Sequence, residues 1–296
     1  MSTSAMPFGR LLTAMVTPFT ADGALDLPAA AELATYLVEE MDNDALVISG
    51  TTGEAPTTTD EEKTELLHAV VEAVGGRAQI IAGVGTFSTR HTVHLAEQAA
   101  AAGADGLLVV TPYYSKPPQS GLLEHFRTVA DATDLPNLLY DIPHRAGTEI
   151  ATDTLLRLAE HPRILGVKDA KGNLIESARV MAQTDLAYYS GDDAITLPLM
   201  SVGGVGLVGT STHFSGRGAK QMMTAFAEGR VDEALEWHRR LEPTFTGVFA
   251  TQGCILVKAG LALLGRPVGG LRAPQVEATP EQTEAFAACL RRSGLL

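Results

Sequence analysis

The chain has 296 residues, of which 45% are hydrophobic, and this is enough for one large domain or two of ordinary size. Its formal net charge is −13 and its pI is about 5.0. No Lys/Arg cluster offsets this acidic balance, which argues against binding to nucleic acids or anionic membranes. The two cysteines, Cys254 and Cys289, are spaced neither as a metal site nor as a disulfide framework.

The first ten residues contain no apolar core of signal-peptide length, and no apolar run is long enough to span a membrane. We therefore expect a cytoplasmic protein.

Eight short apolar runs recur along the chain. Most are almost continuously apolar rather than alternating, which is typical of parallel strands covered on both faces. The predicted strands are 11–19, 45–50, 79–85, 106–112, 137–143, 164–170, 186–191 and 205–210.

Helical patterns lie between the predicted strands. The clearest covers residues 57–76, where Thr59 or Asp60 can cap the N-terminus and two glycines end the helix. A second covers 88–103. Eight strand–helix repeats predict an α/β protein with a (β/α)8 TIM-barrel fold, which typically needs roughly 250 residues. A doubly wound sheet is the main alternative, but eight evenly spaced units favour closure.

The strand pattern stops at about residue 230, and the segments that follow are helical in pattern. The last of them opens with a capping box formed by Thr279 and Gln282, with Pro280 at the first helical position. We therefore expect a barrel catalytic domain over 1–230 and a C-terminal helical extension over 231–296.

The chemistry of such barrels lies where strands end and loops begin, and several predicted strands here end in polar side chains. Strand two is followed by SGTTGEAP, in which Thr51 and Thr52 offer hydroxyls and amides to an anion, although a plain glycine turn explains it equally well. Strand five is followed by YDIPHRAG. Here Tyr140 is a candidate acid/base phenol, and Arg145 is a candidate carboxylate clamp. Strand four is followed by TPYYSKPP, a stiff loop with phenols at its tip that alone is more typical of packing or an interface.

Strand six, in ILGVKDAKGN, ends in Lys168. A lysine in this setting is expected to have a lowered pKa, because desolvation disfavours the ammonium, and its neutral amine can attack a ketone to form a Schiff base. Taken alone, a lysine that extends to solvent is the simpler interpretation. The combination of an amine, a phenol, hydroxyls and a guanidinium at different strand ends favours the nucleophile. Lys171 lies past the strand end, so we expect its pKa to be near normal.

Two further clusters of polar residues are weaker candidates. His91 and His94 lie three residues apart on a predicted helix, and no third metal ligand is evident, so surface imidazoles are the better interpretation. Asp192 and Asp193, in GDDA, could hold a divalent metal, but we prefer a helix N-cap. We predict no metal site.

The motifs GTTGE, VTPYY, YDIPHRAG and GVKDAKGN resemble, in order and spacing, those of the dihydrodipicolinate synthase family. This family belongs to the class I aldolase superfamily, which includes N-acetylneuraminate lyase. The resemblance covers essentially the whole chain, and LLVVTPYYSKPPQ is most similar to actinobacterial members. It implies a lyase that condenses pyruvate with L-aspartate 4-semialdehyde to 4-hydroxy-tetrahydrodipicolinate, on the diaminopimelate route to lysine. No cofactor is expected, because the lysine itself is the electron sink.

The resemblance also implies a catalytic role for four residues. Lys168 forms the Schiff base with pyruvate, and loss of a proton gives the enamine that attacks the aldehyde. Tyr140 shuttles protons. Thr51 links Tyr140 by a hydrogen bond to Tyr114, which family members insert from a neighbouring subunit, and we therefore expect a homotetramer.

Substrate-binding roles follow from the same resemblance. The backbone amides of Thr51 and Thr52 hold the pyruvate carboxylate, Arg145 binds the carboxylate of the semialdehyde, and the backbone of Val208 faces the bound pyruvate. The chain departs from the usual pattern at LVGTST, where ISV is more typical, and this change lines the pocket wall.

A second departure concerns feedback by lysine. Many relatives bind lysine between two subunits, using a serine, two histidines, an asparagine and a glutamate. The resemblance places other residues at those positions and therefore implies weak inhibition or none. These residues are Ala55, Asp60, Lys63, Phe87 and His91.

Two alternative functions remain open from the sequence. A sialic-acid or 2-keto-3-deoxy-gluconate type aldolase would keep Lys168 and Tyr140 but act on a polyol aldehyde, which offers Arg145 no carboxylate. A non-catalytic barrel that acts as a ligand sensor or scaffold is the alternative from a different class, and the intact set of strand-end groups argues against it.

Overall fold

Eight parallel strands form a closed barrel in chain order in the computed structural model, which describes residues 6–296. Residues 1–5, which belong to the segment considered above for a signal peptide, lie outside the described residues. The first strand pairs with both the second and the eighth, which closes the barrel. The strands are β1 (Leu11–Ala14), β2 (Ala45–Ile48), β3 (Gln79–Gly83), β4 (Gly106–Val110), β5 (Asn137–Asp141), β6 (Ile164–Asp169), β7 (Ala187–Ser190) and β8 (Gly206–Gly209).

Helices lie between the strands and continue after the last strand. They are α1 (Leu27–Glu39), α2 (Asp60–Val74), α3 (Thr89–Ala101), α4 (Gln119–Asp131), α5 (Pro143–Ala146), α6 (Thr152–Leu158), α7 (Leu174–Met181), α8 (Thr196–Ser201), α9 (Thr212–Ala227), α10 (Val231–Gly247), α11 (Gly253–Leu263) and α12 (Pro280–Ser293). The predicted (β/α)8 barrel with a C-terminal helical part is therefore confirmed.

The strands are near-continuously apolar because they are buried on both faces. One apolar cluster fills the barrel interior with side chains such as Leu12, Val47 and Tyr189. A larger cluster lies between strands and helices and includes Leu46, Val70 and other residues. Each predicted strand contains an observed one, but the predicted strands extend beyond the observed ends because apolar residues continue into the loops.

Helix ends follow the predicted capping chemistry. Thr59, rather than Asp60, caps α2 in a capping box with Glu62, in which each side chain bonds the backbone N–H of the other residue. Thr279 and Gln282 form the same arrangement at α12. The acidic first turn of α2 is also favourable toward the positive end of the helix dipole.

The last three helices pack against the barrel layer and one another, with α10 against α9 and α12, and α11 against α12. The first of them begins at Val231, while the division into domains 1–230 and 231–296 stays a prediction. Within residues 6–296, no helix is both long enough and apolar enough to cross a membrane.

Candidate active site

A cleft of about 740 Å³ opens where the carboxyl ends of the strands face the C-terminal helices. Parallel strands present their loops at this end, so residues far apart in sequence meet there. Five of the seven predicted site residues line this cleft, namely Thr51, Thr52, Tyr140, Arg145 and Lys168.

Lys168 projects from β6 and is only 4% exposed. Its Nζ lies 4.2 Å from the ring centroid of Tyr140, which is its partner in the register of β5 and β6. Burial lowers the pKa of Lys168 to about 8, the positive charge of Arg145 acts in the same direction, and Asp193 opposes both. An amine with this pKa is neutral in about a tenth of the molecules at pH 7. The strand continues through Asp169, so Lys168 is its penultimate residue rather than its last.

Tyr140 is buried beside this amine. Burial raises the pKa of Tyr140 to about 12, while the charge of Arg145 and the Thr51 hydroxyl act against the rise. The phenol is therefore protonated at neutral pH and can donate a proton. Because Arg145 stabilises the phenolate, it also makes that proton easier to move.

The loop after β2 brings free amides to the cleft. In the described part of the chain, no acceptor is paired with the backbone N–H of Thr51 or Thr52. The hydroxyl of Thr52 lies 3.3 Å from that of Thr210, which directly follows β8. Gly53 is needed for close packing, because a Cβ there would lie 3.0 Å from the carbonyl oxygen of Met15. Two unpaired amides beside an amine are suited to a carboxylate.

Arg145 lies on α5, directly after β5, and is exposed to solvent. Its Nη1 donates a hydrogen bond of 2.8 Å to Oε1 of Gln252, the residue that precedes α11. The sequence did not predict this role of Gln252, because no motif near it indicates that its side chain lines the cleft. The pairing holds the guanidinium at the mouth of the cleft, where it can meet an anionic substrate.

The two remaining predicted residues do not line the cleft of their own chain. Tyr114 is 93% exposed, has a positive φ of 72°, and donates its N–H to the carbonyl of Ala146. Val208 is buried in β8, where its register partner is Leu12.

Asp192 and Asp193 follow β7. The N-cap interpretation is correct for Asp192, whose side chain accepts from the N–H of Ala194 at 3.0 Å. Asp193 has a role that the sequence did not predict. It is fully buried and accepts hydrogen bonds from the N–H groups of Thr210 (3.1 Å) and Ser211 (2.9 Å), so it joins the ends of β7 and β8. Burial raises the pKa of Asp193, and these bonds oppose the rise.

The expectation of a near-normal pKa for Lys171 is wrong. Its side chain is only 8% exposed, its Nζ lies 2.7 Å from Glu176, and two more carboxylates, Asp141 and Glu149, lie 3.9 Å away. Burial lowers the pKa of Lys171, but Glu176 and the other carboxylates raise it by more, so the net shift is upward. Lys171 is therefore a structural cation, in contrast to Lys168.

A closed (β/α)8 barrel with a desolvated lysine stacked on a buried tyrosine defines an enzyme of the Schiff-base-forming aldolase class. The family model described as the dihydrodipicolinate synthetase family matches residues 7–293. The chain belongs to this family, and the predicted family and lyase function are confirmed.

Individual relatives agree with this assignment. The chain is 64% identical over 292 residues to a 4-hydroxy-tetrahydrodipicolinate synthase of Cutibacterium acnes, which covers 99% of this chain and 100% of the relative. It is 65% identical over 276 residues to the Acidothermus cellulolyticus enzyme of the same name, covering 93% and 89%. Both are actinobacterial. A crystal structure of the Cyanidioschyzon merolae synthase with lysine bound matches with a TM-score of 0.96 at 42% identity, covering 99% and 100%.

Proposed function

We propose that this chain condenses pyruvate with L-aspartate 4-semialdehyde to give 4-hydroxy-tetrahydrodipicolinate, with Lys168 as the nucleophile. The neutral amine attacks the ketone carbon of pyruvate, and water leaves as the Schiff base forms. Loss of a methyl proton gives an enamine, whose carbon attacks the aldehyde. The substrate's own amine then attacks the imine carbon, closes the ring and releases Lys168. The placement of the Lys168 amine 4.2 Å from the Tyr140 ring carries this proposal.

Tyr140 is the proton carrier in the proposal, since its phenol is close to the amine and protonated at neutral pH. Thr51 passes the proton on, and Tyr114 of a second subunit completes the relay. The exposure of Tyr114 supports a role outside its own chain.

The pyruvate carboxylate is assigned to the free amides of Thr51 and Thr52, and the backbone of Val208 is placed next to the bound pyruvate. The carboxylate of the semialdehyde is assigned to Arg145, whose position at the cleft mouth supports this role. The cytoplasmic location expected from the sequence stays a prediction.

The experiment that tests the substrate is a direct comparison of two aldehydes. Initial rates are measured with pyruvate plus aspartate 4-semialdehyde and with pyruvate plus N-acetylmannosamine. Turnover of the first pair and none of the second supports the proposal. The reverse result would assign the chain to the sugar-aldolase branch, and absence of both activities would favour a non-catalytic barrel.

Arg145→Ala is expected to raise KM for the semialdehyde by at least about tenfold, because each hydrogen bond to a charged group contributes roughly 1.5–3 kcal/mol. Schiff-base formation with pyruvate should persist. Since the charge of Arg145 also lowers the pKa of Lys168, pyruvate trapping is compared at several pH values above about 8, which separates a change in that pKa from a change in pyruvate binding. Arg239→Ala, which removes an exposed guanidinium outside the cleft, is the control. Failure to trap pyruvate in Arg145→Ala would contradict the assigned role.

We expect a homotetramer in solution. The side chain of Tyr114 extends into solvent. Its loop has a defined conformation, since Lys116 has a positive φ of 49° and the ring of Tyr113 packs edge-on against that of Phe87, with 5.6 Å between the centroids. Sedimentation velocity measures the assembly, and Tyr114→Phe tests whether its hydroxyl acts in catalysis. A fully active monomer would contradict both the assembly and the trans role.

We expect millimolar L-lysine to inhibit weakly or not at all. Asp60 could attract the effector's ammonium, but its Oδ2 already lies 2.8 Å from Nε2 of His91. Lys63 adds a positive charge to the same region, and its Nζ donates a hydrogen bond to the carbonyl of Thr58. An ammonium left unpaired in a partly buried cleft is unfavourable by several kcal/mol, and about 1.4 kcal/mol is tenfold in affinity. The measurement is initial rate against L-lysine at fixed pyruvate. Half-inhibition below about 0.5 mM, an affinity near −4.5 kcal/mol, would show that the pocket works despite its replacements.

A further inference from the structure

A buried ion pair joins the loop after β2 to the C-terminal helices. Glu54 Oε1 lies 2.8 Å from Nζ of Lys258 on α11, and the two side chains are 1% and 3% exposed. The Lys258 ammonium also donates to the carbonyl of Gly270 at 2.5 Å and lies 4.4 Å from the ring centroid of Phe19. Burial lowers the pKa of Lys258, and Glu54 is the main group that opposes this. The ammonium therefore depends on Glu54.

The second oxygen of Glu54 is held by the same part of the chain. Glu54 Oε2 accepts a 3.0 Å hydrogen bond from the backbone N–H of Arg272, in the segment between α11 and α12. The guanidinium of Arg272 makes two hydrogen bonds to Glu62, of 2.7 and 2.6 Å, and lies 4.3 Å from the Phe19 ring centroid. Both carboxylate oxygens of Glu54 are thus engaged by the C-terminal region.

The backbone at Glu54 links this attachment to the cleft. Glu54 has a φ of 55°, in the left-handed region that non-glycine residues rarely adopt, and its N–H donates to the carbonyl of Thr51 at 3.2 Å. The preceding residue is held as well, because the Thr17 hydroxyl donates to the carbonyl of Gly53 at 2.6 Å. The end of the turn that follows the two free amides is therefore held both by Thr17, from the loop after β1, and by the side chain of Glu54.

We propose that Glu54 and Lys258 are positioning residues that keep the N–H groups of Thr51 and Thr52 directed at the substrate carboxylate. A role in stability alone would not require charge, because an apolar pair of the same volume is often as good in a buried position. A charged pair fixes the direction of the Glu54 side chain, and with it the unusual backbone conformation. This inference rests on the proposed function, in which these amides bind pyruvate.

Lys258→Met tests the proposal, since it keeps an unbranched apolar side chain as far as Cε and removes the ammonium. The concentration of pyruvate that gives half-maximal borohydride trapping is expected to rise at least about tenfold, the change expected when a charge-assisted contact is lost. The trapping rate at saturating pyruvate and KM for the semialdehyde should change less than about threefold, because Lys168 and Arg145 are untouched. A stable variant with half-saturation within twofold of the wild type would overturn the proposal.

Two further variants separate positioning from stability. Ser293→Ala removes a buried hydroxyl that bonds Thr244 at 2.8 Å within the C-terminal helices, so it should lower Tm without changing half-saturation. Glu54→Gln keeps the shape of the side chain and an acceptor for Arg272, and it removes the charge from the other partner of the ion pair, so it is the second test should Lys258→Met not fold. Its half-saturation should still rise by about threefold or more, and no rise would reject the inference. If the wild type itself fails to trap pyruvate, the proposed function fails instead.

Discussion

Replacing Lys168 with alanine is expected to lower kcat/KM for the condensation by roughly 10⁴-fold or more, because the covalent intermediate can no longer form. Lys168→Arg should be equally inactive. A guanidinium keeps the positive charge toward Asp193, but it stays protonated and cannot become an imine. Steady-state rates and pyruvate trapping both measure the loss. Substantial activity in either variant would show that another group is the nucleophile.

Lys171→Arg is the matched control for this prediction. Lys171 is three positions away, is also poorly exposed, and has its pKa raised by Glu176 and neighbouring carboxylates. Arginine can maintain the ion pair with Glu176, so pyruvate trapping should persist. Complete loss of trapping in Lys171→Arg would mean that the two lysines are not functionally distinct.

Tyr140→Phe is expected to lower kcat by about 10²–10⁴-fold, the usual contribution of general acid–base catalysis, with a much smaller effect on pyruvate affinity. The ring that packs over Lys168 remains, and only the proton carrier is lost. Initial rates at saturating substrates measure kcat, and trapping at varied pyruvate measures affinity. A variant within twofold of the wild type would remove Tyr140 from the relay.

Tyr189→Phe provides the comparison for a buried phenol inside the same barrel. Its hydroxyl donates to the carbonyl of Gly9 at 3.0 Å and accepts from the N–H of Phe8, so it serves the opposite end of the barrel. Loss of these bonds should lower Tm and leave kcat within about threefold, because the group is remote from the cleft. A large fall in kcat would mean that any phenol lost from the barrel impairs catalysis.

The barrel could be predicted from the sequence because its strands are buried on both sides. Runs such as 106–112 are nearly all apolar, which indicates strands that are covered on both faces. A closed parallel barrel buries eight such strands in this way. The cleft residues Lys168, Tyr140 and Arg145 were found for a related reason. All three lie at or just beyond the carboxyl ends of strands, where the barrel geometry brings loops together.

The contacts that complete the cleft depend on long-range folding and were not predictable in this way. Gln252 is 107 positions from Arg145, and Arg272 is 218 positions from Glu54. No local pattern shows how α11 folds back onto the barrel. The raised pKa of Lys171 is not predictable from the sequence for the same reason, because a position past a strand end does not indicate that three carboxylates surround the side chain.

Peptide mapping after borohydride reduction in the presence of pyruvate shows directly whether Lys168 forms the Schiff base. We expect an irreversible adduct with the mass of one reduced pyruvate on Lys168 and none on Lys171. Burial lowers the pKa of Lys168 to about 8, whereas carboxylates keep Lys171 protonated. An adduct on Lys171, or no adduct on any lysine, would contradict this expectation.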